Sequence, residues 1–256
     1  LPLMAEQLLI TLMGMVNTFM VAHVGSYAIS AVSLVDSINI LVIQAFYALS
    51  TGGTIVCAQY LGQKKTGHAI RSAEQTLFIV TLISLVTAAF CILFDRQILR
   101  LIFGTVDEEV FNSARTYFFY SSLSYPFIAL YDAGSSIFRA QKNTGFPMAM
   151  SLIANIANVI GNIILVLILG QGVAGAAIST LASRALCALL VLLRLVKPRE
   201  NQPVYVANYT RIRPHMPLIR RILHIGIPAG IENSMFQFGK LAIQSSVSTL
   251  GVTAMA

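Results

Sequence analysis

The sequence predicts an all-helical, polytopic transmembrane bundle, and three observations carry that reading. Only 11% of its 256 residues are charged and 56% are apolar, against about 25% charged in a soluble domain. The apolar residues fall in runs of about 20, such as Leu77 to Phe94 and Met148 to Leu169, and a helix of that length crosses a ~30 Å hydrocarbon core. The basic residues sit in the short segments between those runs. A formal charge of +7 and a pI near 9.5 therefore read as a topology signal and not as affinity for nucleic acid.

Seven spans are expected, at about 1–22, 28–58, 74–94, 112–138, 147–169, 174–196 and 218–249. The breakers fit: His23-Val-Gly-Ser-Tyr27 follows the first, Thr144-Gly-Phe-Pro147 opens the fifth, and Gly170-Gln-Gly172 parts the fifth from the sixth. Cys57, Cys91 and Cys187 lie alone in apolar surroundings and read as packing residues. The chain opens inside an apolar stretch and closes without a polar tail, so a longer protein is expected at both ends.

Cytoplasmic loops carry the Lys and Arg excess. Lys64, Lys65 and Arg71 belong to the second loop, Arg139 and Lys142 to the fourth, and Arg194, Lys197, Arg199, Arg211, Arg213, Arg220 and Arg221 to the sixth or its borders. The odd loops hold Arg96, Arg100 and Arg115, diluted by Asp95, Asp107, Glu108 and Glu109. The N-terminus is thus expected in the cytoplasm, with the whole a multi-pass protein of the cytoplasmic membrane.

The segment from Lys197 to Pro217 carries four prolines and reads as a linker. Beyond Pro217 the chain repeats its own beginning. At an offset of 226, Pro2 falls on Pro228, Glu6 on Glu232, Gly25 on Gly251 and Ala28 on Ala254. The expected organisation is a six-helix lobe at 1–196, a cytoplasmic inter-lobe linker at 197–217, and the first helix of a second lobe at 218–256. A six-span repeat implies parallel halves, about twelve helices in the full protein, and a substrate cavity at their interface. The seventh helix should then stand apart from the first six or pack poorly on them.

No phosphate-binding loop, metalloprotease helix or nucleophile elbow is present, so an enzyme is not expected, nor a cofactor. Ionisable and amide groups inside the spans carry the functional information, because a charge there needs a cavity or a partner. The charged ones are Glu6, Asp36, Asp132, Arg184, Glu232 and Lys240. Asp36 and Asn39, three apart, share one helix face and line a cavity or make an interhelical bond. Asp132 has small neighbours, favouring packing. Asn155, Asn158 and Asn162 place three amides along one face of the fifth span, as interhelical glue or as oxygen ligands for a cation or polar drug. Gly175, Ser179 and Ser183 form a small-residue packing face. The seventh span adds Glu232, Gln237 and Lys240; the last lies about 12 Å along the axis from Glu232, so a direct pair is not expected.

Six motifs follow one another along the chain: Met15-Val-Asn-Thr-Phe-Met-Val-Ala-His-Val-Gly25, Ala58-Gln-Tyr-Leu-Gly62, Tyr125-Pro-Phe127, Phe138-Arg-Ala-Gln-Lys-Asn-Thr-Gly145, Gly172-Val-Ala-Gly-Ala-Ala-Ile-Ser-Thr180 and Gly226-Ile-Pro-Ala-Gly-Ile-Glu232. In these, and in their order, the chain resembles the multidrug and toxic compound extrusion transporters. The resemblance implies two six-helix bundles that export cationic or amphipathic drugs against inward Na⁺ or H⁺. It also implies that Asn17 stands where many members have Asp, and that Asn158 and Asn162 stand in place of an Asn-x3-Asp pair. An Asn carries no proton, which leaves Na⁺ ligation by amide oxygens, with Asp36 as the substitute carboxylate. Asp132 stands where relatives often show Asn. The expected cavity set is Asn17, Asp36, Asn39, Asn155, Asn158, Asn162 and Thr180, with Na⁺ near Asp36, Asn158 and Asn162. The alternative within the superfamily, a flippase for lipid-linked oligosaccharide, would need several interior cations, and spans one to six offer Arg184.

Overall fold

The computed structural model describes residues 2–104, 107–196, 202–207, 209 and 213–249; the side chains of 2–3, 5–7, 9–13, 26, 234, 236–238 and 240–249 lie outside what it describes. The helices are α1 (Pro2–Ala22), α2 (Ser26–Gly62), α3 (Thr66–Leu93), α4 (Asp95–Phe103), α5 (Glu108–Ala140), α6 (Gly145–Asn162), α7 (Gly172–Val196) and α8 (Met216–Thr249). A π-helical stretch, Ile163–Ile168, continues α6. Each of the seven expected spans is a helix.

Among the described residues, four helical segments are long and apolar enough by themselves to cross a membrane: Tyr27–Gly62, Thr66–Leu93, Gly145–Ile168 and Gly172–Val196. Their outward faces are apolar, with Leu85, Val86, Phe90, Ile156 and Ile160 exposed where lipid would lie. Helix α5 is as long but more polar, because it is the central helix, packed on α2, α3 and α7. Its buried face carries Ser121, Ser122, Ser124, Asp132, Ser135 and Ser136.

Helix α4 was not among the expected spans. Its charges make nine residues look like a loop, yet it is amphipathic, with Leu99 buried and Leu101 fully turned out. Asp95 in its first turn and Arg100 in its last complement the helix dipole. Arg115 of α5 donates from Nε to Asp95 Oδ2 at 2.6 Å, joining the two helices.

Part of the expected linker is folded onto the lobe. Val204 and Val206 are fully buried. The Val204 N–H donates to Gln141 Oε1 at 3.0 Å, and Gln141 Nε2 donates back to the Val204 carbonyl at 3.3 Å. The Val206 N–H caps the Leu195 carbonyl near the end of α7 at 2.9 Å, and Tyr209 donates to the Leu192 carbonyl at 2.8 Å. Burial in this apolar seat pushes the Tyr209 phenol up.

The expectation that the last helix stands apart is corrected by the contact between α2 and α8. Gly52 and Gly226 meet backbone to backbone: a Cβ on Gly52 would lie 2.6 Å from the Ile222 carbonyl oxygen and 2.8 Å from the Gly226 nitrogen. Val56, Leu218 and Ile222 form a small buried cluster beside this crossing. The first turns of α8 are thus seated on the lobe, because two glycines allow an approach that any side chain would prevent. Gly52→Ala should destabilise the full-length protein by about 1–3 kcal/mol through overpacking against backbone. Gly62→Ala, with open space around its Cβ, should stay within about 0.5 kcal/mol of wild type. Thermal unfolding in detergent measures both.

Candidate ion and substrate site

The amides of α6 face inward. Asn158 and Asn162 are fully buried, one turn apart, and their side chains link three helices. Asn162 Nδ2 donates to Asn17 Oδ1 of α1 at 2.7 Å and to Asn158 Oδ1 at 3.1 Å. Asn158 Nδ2 donates to Thr180 Oγ1 of α7 at 3.2 Å, and Thr180 passes its proton to the Ala176 carbonyl at 3.0 Å. The Asn162 Oδ1 is buried with no hydrogen-bond partner among the described residues, and the π-helical stretch begins at the next residue. Such stretches often mark functional sites. The expected packing face of α7 permits this closeness. Ser179 donates to the Asn158 carbonyl at 2.7 Å, and a Cβ on Gly161 would meet Ser179 Oγ.

A second network is built on α2, α5 and α7. Asn39 Nδ2 donates to Asp36 Oδ1 at 3.1 Å and to Ser121 Oγ at 3.3 Å, and Asn39 Oδ1 accepts from the Tyr125 hydroxyl at 2.9 Å. Tyr117 donates to Asp36 Oδ1 at 3.4 Å. Arg184 of α7 donates from Nη1 to Ser124 Oγ at 2.7 Å, and its positive charge lies within electrostatic reach of Asp36. Asn39, Tyr117, Ser121, Ser124 and Tyr125 are all buried, and Asp36 is half-buried.

The expected set therefore divides in two. Asn17, Asn158, Asn162 and Thr180 come together as one chain of hydrogen bonds, and Asp36 and Asn39 come together in another. The hydrogen bonds of Asp36 among the described residues go to Asn39 and Tyr117, and none joins it to Asn17, Asn158 or Asn162. Asn155 is half-buried one turn before Asn158, and Asp132 is buried on α5. Glu232 is exposed on α8. The side chains of Glu6, Gln237 and Lys240 lie outside the described residues, as do Gly251 and Ala254 of the repeat. The reading from sequence missed Tyr117, Ser121, Ser124 and Tyr125. Their spacing of i, i+4, i+7 and i+8 in a long apolar helix was the available signal.

Residues 2–164 match the family model described as MatE. A probable multidrug resistance protein NorM of Thermotoga maritima is 27% identical over 100% of this chain and 55% of its own length. The multidrug export protein MepA of Staphylococcus haemolyticus is 28% identical over 100% of this chain and 56% of its own. The chain spans about half the length of the curated relatives it matches. A solved structure described as MATE in the bent conformation superposes with a TM-score of 0.88 at 21% identity, over 98% of this chain and 55% of that one.

The two networks make a stability prediction. Arg184→Gln removes the donor to Ser124 and the positive charge near Asp36, and should cost about 1–3 kcal/mol. Adding Asp36→Asn should recover part of that loss, with a coupling energy of at least about 0.5 kcal/mol in a double-mutant cycle. Thermal unfolding of the four proteins in detergent reads it, and additive effects would mean that the two side chains do not interact.

Proposed function

The chain belongs to the MatE family, whose members are transporters and not enzymes, and from that premise we propose that the protein of which it forms about half is a secondary active exporter of cationic or amphipathic compounds, driven by inward Na⁺ or H⁺. On this reading residues 1–196 are one lobe, 197–217 the inter-lobe linker, and 218–256 the start of the second lobe. The N-terminus is cytoplasmic, by the distribution of basic loops. The missing lobe completes the substrate cavity.

One observation supports the coupling site: the Oδ1 atoms of Asn17 and Asn158 converge on Asn162 Nδ2. A donor held by two amide oxygens, one of them on the buried Asn158, occupies the position a small cation would take. Turning the Asn162 amide over would replace that donor with its Oδ1, which has no hydrogen-bond partner among the described residues, giving three convergent oxygens, the hard neutral ligands that alkali cations accept. No group of this cluster titrates near neutral pH. The cluster therefore favours Na⁺ as the coupling ion at this place, and any proton must be carried by Asp36. The flippase alternative is disfavoured because a pyrophosphate cargo needs free interior cations, whereas Arg184 is engaged with Ser124 and faces Asp36.

In everted vesicles carrying the full-length protein, Asn162→Leu should reduce Na⁺-driven efflux of a cationic dye at least tenfold, and Asp36→Asn should abolish ion-driven efflux. Asp132→Asn should remain near wild type. Wild-type efflux by both Asn162→Leu and Asp36→Asn, under Na⁺ and H⁺ gradients alike and at matched expression, would move the coupling site to the other lobe.

A further inference from the structure

At the end of the lobe where α2 stops and α3 and α8 start, a cavity of about 290 Å³ is lined by Tyr60, His68, Arg71, His215, Leu218 and Arg221. Every ionisable group on its wall is basic or phenolic. His68 is the third residue of α3 and Leu218 the third of α8, so two helix N-termini, with their partial positive charge, also meet here.

Arg221, the His68 ring and the backbone of His215 are held in place. Arg221 donates from Nη2 to Gln59 Oε1 at 2.7 Å and from Nη1 to the Tyr60 hydroxyl at 3.1 Å. Its guanidinium lies 5.3 Å from the centroid of the Tyr60 ring, and the His68 ring packs against the same tyrosine at 5.4 Å. His215 is fixed through its backbone. Its N–H donates to Oε1 of the buried Gln75 at 2.9 Å, while Gln75 Nε2 donates to the Arg213 carbonyl at 2.9 Å.

Arg71 and Arg221 bring two permanent positive charges to one space, and an anion between them would offset their repulsion. Among the described residues no carboxylate is within ion-pair distance of Arg71 or Arg221. Glu74, one turn further along α3, is the acidic group within electrostatic reach of Arg71. The cavity is small for drug-sized cargo, whose sites run from about 300 to 1,000 Å³, but a guanidinium fork suits a phosphate group well. It also lies at the polar end of the spans, beside the loop that carries Lys64 and Lys65, where anionic lipid headgroups gather around basic pockets between helices.

We infer that this cavity is a binding site for a phosphate-bearing anion, supplied by an anionic lipid headgroup or by a soluble phosphate. Bound there, the anion ties the first turn of α8 to α2 and α3. The inference rests on the chain's lying in a membrane and not on export, so the failure of one leaves the other standing.

The test is native mass spectrometry of the full-length protein in neutral detergent, titrated with phosphatidylglycerol and, separately, phosphatidylcholine. One saturable phosphatidylglycerol site is expected, weakened at least tenfold in Arg71→Gln/Arg221→Gln. Lys64→Gln/Lys65→Gln, which removes the same charge from the adjacent loop, should keep it. Inorganic phosphate at millimolar concentration distinguishes the sources: displacement of the lipid, or phosphate adducts that the arginine variant loses, assigns the site to soluble anions, and the absence of both assigns it to lipid. Unchanged lipid and phosphate binding by the arginine variant, or equal loss in the lysine variant, overturns the site. Thermal unfolding of each variant in detergent, without lipid, confirms that it is folded; if Arg71→Gln/Arg221→Gln is not, Arg71→Lys/Arg221→Lys takes its place and should bind more weakly than wild type because the bidentate fork is gone.

Discussion

A polar group inside hydrocarbon must find its partner within the protein, and in this chain that requirement decides which helices touch. Several threonine hydroxyls satisfy it locally. Thr51, Thr54, Thr76, Thr81 and Thr116 each donate to the carbonyl four residues back on their own helix, so these hydrogen bonds fix nothing beyond it. An amide has two donor hydrogens and a carbonyl oxygen, a carboxylate only acceptors, and a guanidinium five donors. None of these is satisfied by one carbonyl. Asn17, Asn39, Asn158, Asn162, Asp36 and Arg184 must therefore reach across to neighbouring helices, and their reach sets the pairing of α1 with α6, α6 with α7, and α2 with α5.

Helix α7 is common to both networks. Thr180 ends the amide chain and Arg184 stands beside the Asp36 cluster, four residues on, or about 6 Å along one helix face. Small residues on the same face, Gly175 and Ser179, bring α7 against α6 so closely that the Asn158 carbonyl is within reach of a serine hydroxyl. A shift of α7 along its axis would strain both networks together.

The spans and their polar residues were legible in the sequence because hydropathy and helical period act along one chain. The expected amides on α6 do share a face, and Asn17 does reach them. What the period does not encode is which helices become neighbours. Asp36 was expected near those amides, and its hydrogen bonds among the described residues go to Tyr117 of α5 and to Asn39 on its own helix. Helix α4 escaped notice because nine residues with three charges have no span-like hydropathy. The seating of residues 202–207 was not legible for a similar reason: prolines and charges dominate the composition there, whereas buried Val204 and Val206 and the side chain of Gln141 hold the segment against the lobe.

Separating the carboxylate from the amide oxygens has a consequence for coupling. Where a carboxylate lies within a ligand cluster, it supplies both the charge and a coordinating oxygen, and a proton competes with a metal cation for the same atoms. Here the amide cluster offers neutral oxygens alone, and the negative charge stands one network away, balanced by Arg184. On the proposed reading, a cation entering between Asn17, Asn158 and Asn162 would displace the Asn162 donor that tethers α1 to α6. The new charge would also weaken the hold of Asp36 on Arg184, because both cations then draw on one carboxylate. The two effects meet at α7, through Thr180 and Arg184, so ion occupancy would act on helix packing without any proton changing hands.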